Sequence, residues 1–177
     1  MEMAQKQVIW PFFLIALFFS LNPIAPVIAF APFLALTYYR LSFIPSLWMA
    51  TLCGLISDLL SPHLFGIYAL NYTCVTFLIF RYRIYFVEKP IGLASLTLLI
   101  SILSTCLSRI LFFLYGIPLP FTLKGFCTDF ALMPLLDGVY ALLCFSYPLI
   151  LYKFLRRQWF RFLFLRKQTK KKEESEV

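Results

Sequence analysis

Charge is scarce in this chain. Only 14% of its residues are Asp, Glu, Lys or Arg, where a soluble domain carries about 25%. There is one histidine, His63, so a multi-histidine metal centre is excluded. Glycine is limited to six residues, and neither a phosphate-cradling loop nor a dinucleotide fingerprint occurs. The five cysteines, Cys53, Cys74, Cys106, Cys127 and Cys144, are widely spaced and form no C-x-x-C pair. They read as small apolar residues and not as a disulfide framework or metal site. Ser57 has no adjacent base, and no acid–base cluster stands out, so the sequence reads as a non-enzyme without a cofactor.

What is present is apolar. Hydrophobic residues make up 62% of the 177, aromatics 19%, and the mean hydropathy is +0.85. A water-soluble core of this length could not hide so much Phe and Leu, so the chain reads as one polytopic, all-α membrane domain. Val8 to Tyr39 is a run of 32 residues without a charge. As one helix it would extend about 48 Å, well beyond the ~30 Å hydrocarbon thickness. Asn22-Pro23 and Pro26 stand in its middle, and prolines break or restart helices. Two short helices, near 8–22 and 24–39, are therefore expected, with one kinked, tilted helix as the alternative. A signal peptide is disfavoured by the length of the run and its prolines, although Ala29-Phe-Ala31 mimics a cleavage site. Further segments run from about 44 to 60, 64 to 80, 91 to 115 and 130 to 152, giving six helices, or five if the first two fuse. Pro134 and Pro148 are expected kinks in the last.

The net charge of +8 is not spread evenly. Nine of the sixteen Lys and Arg residues lie beyond Tyr152, next to the last apolar segment. That placement fits an orientation signal and anionic lipid headgroups, not nucleic acid. With six helices and both ends inside, fourteen of the sixteen cations fall on the inner side, against Lys124 outside and Arg109 within a helix. The C-terminal end is thus expected in the cytoplasm, and the N-terminal end with it unless the first two segments are one. Residues 1–155 form the membrane domain on this reading and 156–177 a basic tail. Within that tail Arg156, Arg157, Arg161, Arg166 and Lys167 alternate with Trp and Phe, as in a helix lying on an anionic leaflet. The last residues, from Thr169, are charged at nearly every position and read as disordered.

Three ionisable residues fall inside apolar segments: Asp58, Arg109 and Asp137. A carboxylate at bilayer depth costs at least ~2.5–3.5 kcal/mol and marks an internal functional position by default. The alternative for Asp58 is a place near the headgroups, three residues from the Ser61-Pro62-His63 turn. Asp58 and Arg109 lie at comparable depths from the same face, so an Asp58–Arg109 ion pair is allowed, with snorkelling of Arg109 as its rival. Asp137 could compete for Arg109 or line a polar cavity. An aspartyl-protease dyad is disfavoured by the contexts Ile56-Ser-Asp58-Leu and Leu136-Asp137-Gly-Val.

The stretch Gly54-Leu-x-x-Asp58-Leu-Leu-Ser-Pro62-x-x-x-Gly66-x-x-Ala69-Leu-x-Tyr72 resembles the signature of the rod shape-determining MreD family of bacterial inner-membrane proteins. Beyond it the match is one of length, hydropathy and basic segments. The resemblance implies a fold similar to the six-helix substrate-binding subunits of energy-coupling-factor transporters. It implies a multi-pass place in the inner membrane and a role in the cell-elongation machinery, where the family partners MreC and, with MreB filaments, helps control peptidoglycan synthesis. A second copy of the chain and membrane lipids are compatible partners. Gly54, Asp58, Gly66 and Ala69 match the motif by position. Asp137-Gly138 departs from the Asn-Ala-like pair that the resemblance would place there. The competing reading is a small-molecule-binding transporter subunit of the vitamin-uptake type, for which Asp58, Tyr68, Asn71, Arg109 and Asp137 are the available polar groups. Its Ala-x-x-x-Ala docking motif is absent from the first helix.

Overall fold

The fold is known from a computed structural model, which describes residues 9–22, 27–62, 65–86, 90–116, 125, 127–151, 154, 158 and 159. All secondary structure among them is helical. Helix α1 spans Ile9–Leu21, α2 Ala31–Arg40, α3 Phe43–Leu60 and α4 Ile67–Ile79, the last continuing as a tighter turn over Phe80–Tyr85. Helix α5 spans Pro90–Leu114, and α6 runs over Thr128–Leu151. Three of these, α3, α5 and α6, are long and apolar enough to cross a membrane, with 18, 25 and 24 residues. Helices α1, α2 and α4 have 13, 10 and 13 residues. At 1.5 Å per residue none of the three crosses the hydrocarbon layer alone.

The uncharged N-terminal run is split, but not where the prolines alone suggest. The second helix, expected from residue 24, begins only at Ala31, after a non-helical passage over residues 27–30. Pro32 in the first turn of α2 suits this start, since its missing N–H would have no intrahelical acceptor there. Every residue from Ala31 to Tyr38 is buried, so α2 is a short central post with helices all round it. Phe13 on α1 meets Phe33 at 5.4 Å between ring centroids, and Phe12 stacks on Phe145 of α6 at the same distance. Such offset and edge-on contacts are favourable ring geometries.

Threonine hydroxyls in this apolar bundle find acceptors within their own helices. Thr37, Thr51, Thr73, Thr76, Thr97 and Thr105 each donate to a carbonyl three or four residues back. Tyr38 and Thr76 join α2 to α4 through a 2.8 Å hydroxyl–hydroxyl bond. Helix α6 is irregular at two places, with wider turns over Thr128–Leu132 and Ala141–Ser146. Asp137 sits in the regular piece between them. Wider turns of this kind gather at functional positions. The expected kink residue Pro134 is buried at the start of that piece.

Candidate functional site

The glycines and carboxylate of the motif meet in space. Gly54 and Asp58 stand one turn apart on the face of α3 that packs against the start of α4. A Cβ at Gly54 would come within 2.3 Å of the Ala69 Cα and 2.7 Å of the Tyr68 carbonyl oxygen. Only glycine lets the two backbones approach so closely. One turn on, Asp58 is 4% exposed and accepts the Tyr68 N–H at 2.9 Å and the Ala69 N–H at 3.0 Å. Gly66 takes φ +100° at the start of α4 and has no side chain to cap the helix. Asp58 therefore supplies the cap from the neighbouring helix, where the unpaired N–H groups and the positive helix end favour a carboxylate. Pro62 is exposed at the corner, and His63 lies outside the described residues. Tyr72, in the second turn of α4, is buried.

The intramembrane charges are partnered differently from the sequence expectation. Arg109, near the end of α5, forms its salt bridge with Asp129 and not with Asp58. The reason is topological. Asp129 lies in the first turn of α6 and not in the connection before it, and the antiparallel α5–α6 pair sets that turn opposite the last turns of α5. The Arg109 guanidinium also lies 5.9 Å from the Phe130 ring centre.

Asp137 does not compete for Arg109 either. It is fully buried, and one carboxylate oxygen accepts the Ile28 N–H at 2.7 Å while the other accepts the Ser101 hydroxyl of α5. Three residues on, the Tyr140 hydroxyl donates to the Ala29 carbonyl at 3.4 Å. These two α6 side chains satisfy the backbone of the 27–30 passage, which packing has carried inside the bundle. Non-helical backbone at such depth survives only where protein groups or a polar cavity take up its N–H and C=O groups. The sequence offered a signal for this, a proline-broken apolar run in a chain with a spare carboxylate, but not which carboxylate served it.

Around these residues lies a cleft whose apolar lining is broken by hydroxyls and one charge pair. It comprises two adjoining hollows of 260 and 340 Å³ that share Val27, Ile28, Tyr68 and Tyr72 as their common wall. Ser57 and Ser61 bound the first; Ser104, Ser108, Arg109 and Asp129 bound the second. Behind the second, fully buried Asn71 donates to the hydroxyls of Ser104 at 2.9 Å and Ser108 at 2.6 Å. The Asn71 carbonyl oxygen has no hydrogen-bond partner among the described residues. Of the polar candidates read from the sequence, Tyr68, Tyr72 and Arg109 line the cleft, whereas Asp58, Asn71 and Asp137 support its walls. Hydroxyls and a neutralised charge pair can bind polar groups. Among the described residues no three His, Cys, Asp or Glu side chains gather as metal ligands. The tail residues Arg156, Arg157, Arg161, Arg166 and Lys167 lie outside the described residues. Compared with protein-family models, curated proteins and solved structures, the chain finds no match in any of the three.

Proposed function

We propose that the protein is a non-enzymatic membrane scaffold of the MreD type, a six-helix subunit of the bacterial cell-elongation complex that binds an MreC-like partner. The supporting observation is the meeting of Gly54, Asp58, Gly66 and Ala69 at one helix–helix corner. A sequence signature whose members all fix one corner serves architecture, and architecture is what a scaffold contributes. On this reading α1, α2 and α4 complete the six passes through their flanking turns and a locally thinned bilayer, both ends face the cytoplasm, and the bilayer is the inner membrane. The corner then presents its outward side to the partner.

A second reading is favoured by the cleft. Hydroxyls, two tyrosines and an Arg–Asp pair opening together at one end of a bundle would suit the small-molecule-binding subunit of an energy-coupling-factor transporter. Against it, the Ala31/Ala35 pair, which has the docking spacing, is fully buried in α2. Purification of the tagged full-length protein from its own membranes, with identification of what it retains, separates the two. Recovery of MreC-like or wall-synthase proteins, lost in Asp58→Asn, is the expected result. Recovery of an ATP-binding-cassette module overturns the scaffold in favour of the transporter subunit.

A further inference from the structure

The opposite end of the bundle, where α2 gives way to α3 and α4 to its tighter turn, carries Arg40, Arg81 and Arg83 with no carboxylate beside them among the described residues. Arg83 is held in place by its protein contacts. Its Nη1 donates to the carbonyl oxygens of Tyr38 and of Leu41, the latter at 2.9 Å, and its guanidinium carbon lies 4.1 Å from the centre of the Phe80 ring. An arginine has five N–H donors in a fixed fork, and the two carbonyls on Nη1 take up two of them. Arg83 and Arg81 line a recess of 460 Å³ with Phe43, Phe77, Phe80 and Ile84.

The described residues include three carboxylates, and each is engaged elsewhere. Asp58 caps α4, Asp129 pairs with Arg109, and Asp137 holds Ile28 and Ser101. The positive charge of the recess is thus not met by any described carboxylate. Its remaining walls are aromatic and aliphatic; Phe77 among them is 67% exposed, as are Ile44, next to Phe43 in the chain, and Trp48 one turn further along α3. A basic, aromatic-walled notch that runs into an apolar helix face matches an amphiphile with an anionic head and hydrocarbon tails.

We propose that this recess is a binding site for an anionic phospholipid, its phosphate on the Arg81–Arg83 pair and its acyl chains along Ile44, Trp48 and Phe77. The phosphate supplies the counter-charge that the described part of the chain does not, and a guanidinium fork receives phosphate oxygens two at a time. An acidic protein segment would satisfy the arginines but would leave the apolar continuation of the notch uncovered.

The test uses the full-length protein in detergent, titrated with phosphatidylglycerol or with phosphatidylcholine of the same acyl chains and followed by native mass spectrometry. The wild type is expected to prefer phosphatidylglycerol. Arg81→Gln should lower that preference about fivefold, the worth of one arginine near an anionic surface. Ile84→Glu, which sets a carboxylate in the recess at a site 82% exposed, should abolish it. Lys124→Gln, a cation that the sequence reading puts on the other side of the membrane, should leave it unchanged. Equal binding of the two lipids, or a phosphatidylglycerol preference that survives Arg81→Gln and Ile84→Glu, overturns the proposal.

Discussion

At the scale of the residue, Asp58 is a structural carboxylate whose work is done by its two oxygens. Replacing it with Ala leaves the Tyr68 and Ala69 N–H groups without their acceptors at a buried helix start. Each such orphan costs about 1–3 kcal/mol, so Asp58→Ala should lower the thermal unfolding temperature in detergent clearly. Asp58→Asn keeps one acceptor oxygen and should lose less. If both variants melt with the wild type, Asp58 is not the cap. Gly54 is tested by the opposite operation. A methyl group there collides with backbone atoms of Ala69 and Tyr68, and overpacking of this kind costs about 1–3 kcal/mol. Because the nearest obstacle is the Ala69 backbone, trimming Ala69 to Gly should not rescue Gly54→Ala. Rescue by Ala69→Gly would show that side-chain crowding, not backbone approach, sets the requirement. The spacing of these residues was legible in the sequence because a close approach, a cap and a left-handed start each demand a particular residue type. Their spatial partners were not, since both partners of Asp58 are backbone amides, which every residue but proline carries.

At the scale of the element, the informative pair is α2 and α6. Helix α2 is ten residues long and wholly interior over Ala31–Tyr38, so its entry must be held from outside, and Asp137 and Tyr140 of α6 do this. Asp137→Ala should release the Ile28 amide, and hydrogen exchange should accelerate at residues 27–31 far more than in α3 or α5. Uniform acceleration over the whole chain would instead mean that Asp137 supports global stability and not this entry. The Arg109–Asp129 contact joins the end of α5 to the start of α6, its side chains 19% and 35% exposed. At such exposure a pair contributes about 0.2–1 kcal/mol. A double-mutant cycle of Arg109→Gln and Asp129→Asn should return a coupling within that range. Absence of coupling would mean that the two charges act independently. The hydrophobic runs showed where α3, α5 and α6 lie, because length and hydropathy are nearly sufficient to define a crossing helix. They could not show that α6 starts early enough to take in Asp129, nor that the second helix starts late. Both boundaries are decided by contacts between elements, and neither contact leaves a period in the sequence.

At the scale of the whole molecule, the two ends of the bundle differ in kind. One end gathers Asp58, the Arg109–Asp129 pair and the cleft; the other carries Arg40, and Arg81 and Arg83 beside aromatic rings. The excess of cations on one side is the pattern that orients a membrane protein, basic end inward. The native cysteines make this testable without introducing new ones. Cys53 is fully buried in α3, whereas Cys127 is exposed immediately before α6, at the Asp58 end. In intact cells carrying Cys106→Ser, which removes the other exposed thiol among the described residues, a membrane-impermeant maleimide should label Cys127 from outside and fail once Cys127→Ser is added, while Cys53 stays unlabelled even after permeabilisation. Labelling of Cys127 only after the membrane is opened would invert the molecule. That outcome would put the cleft inside the cell and the arginine recess outside, and a partner reached through the Asp58 corner would then be sought on the cytoplasmic side. The orientation thus bears on both proposals at once, because the counter-charge expected by Arg81 and Arg83 and the partner expected at Asp58 depend on which face each end meets.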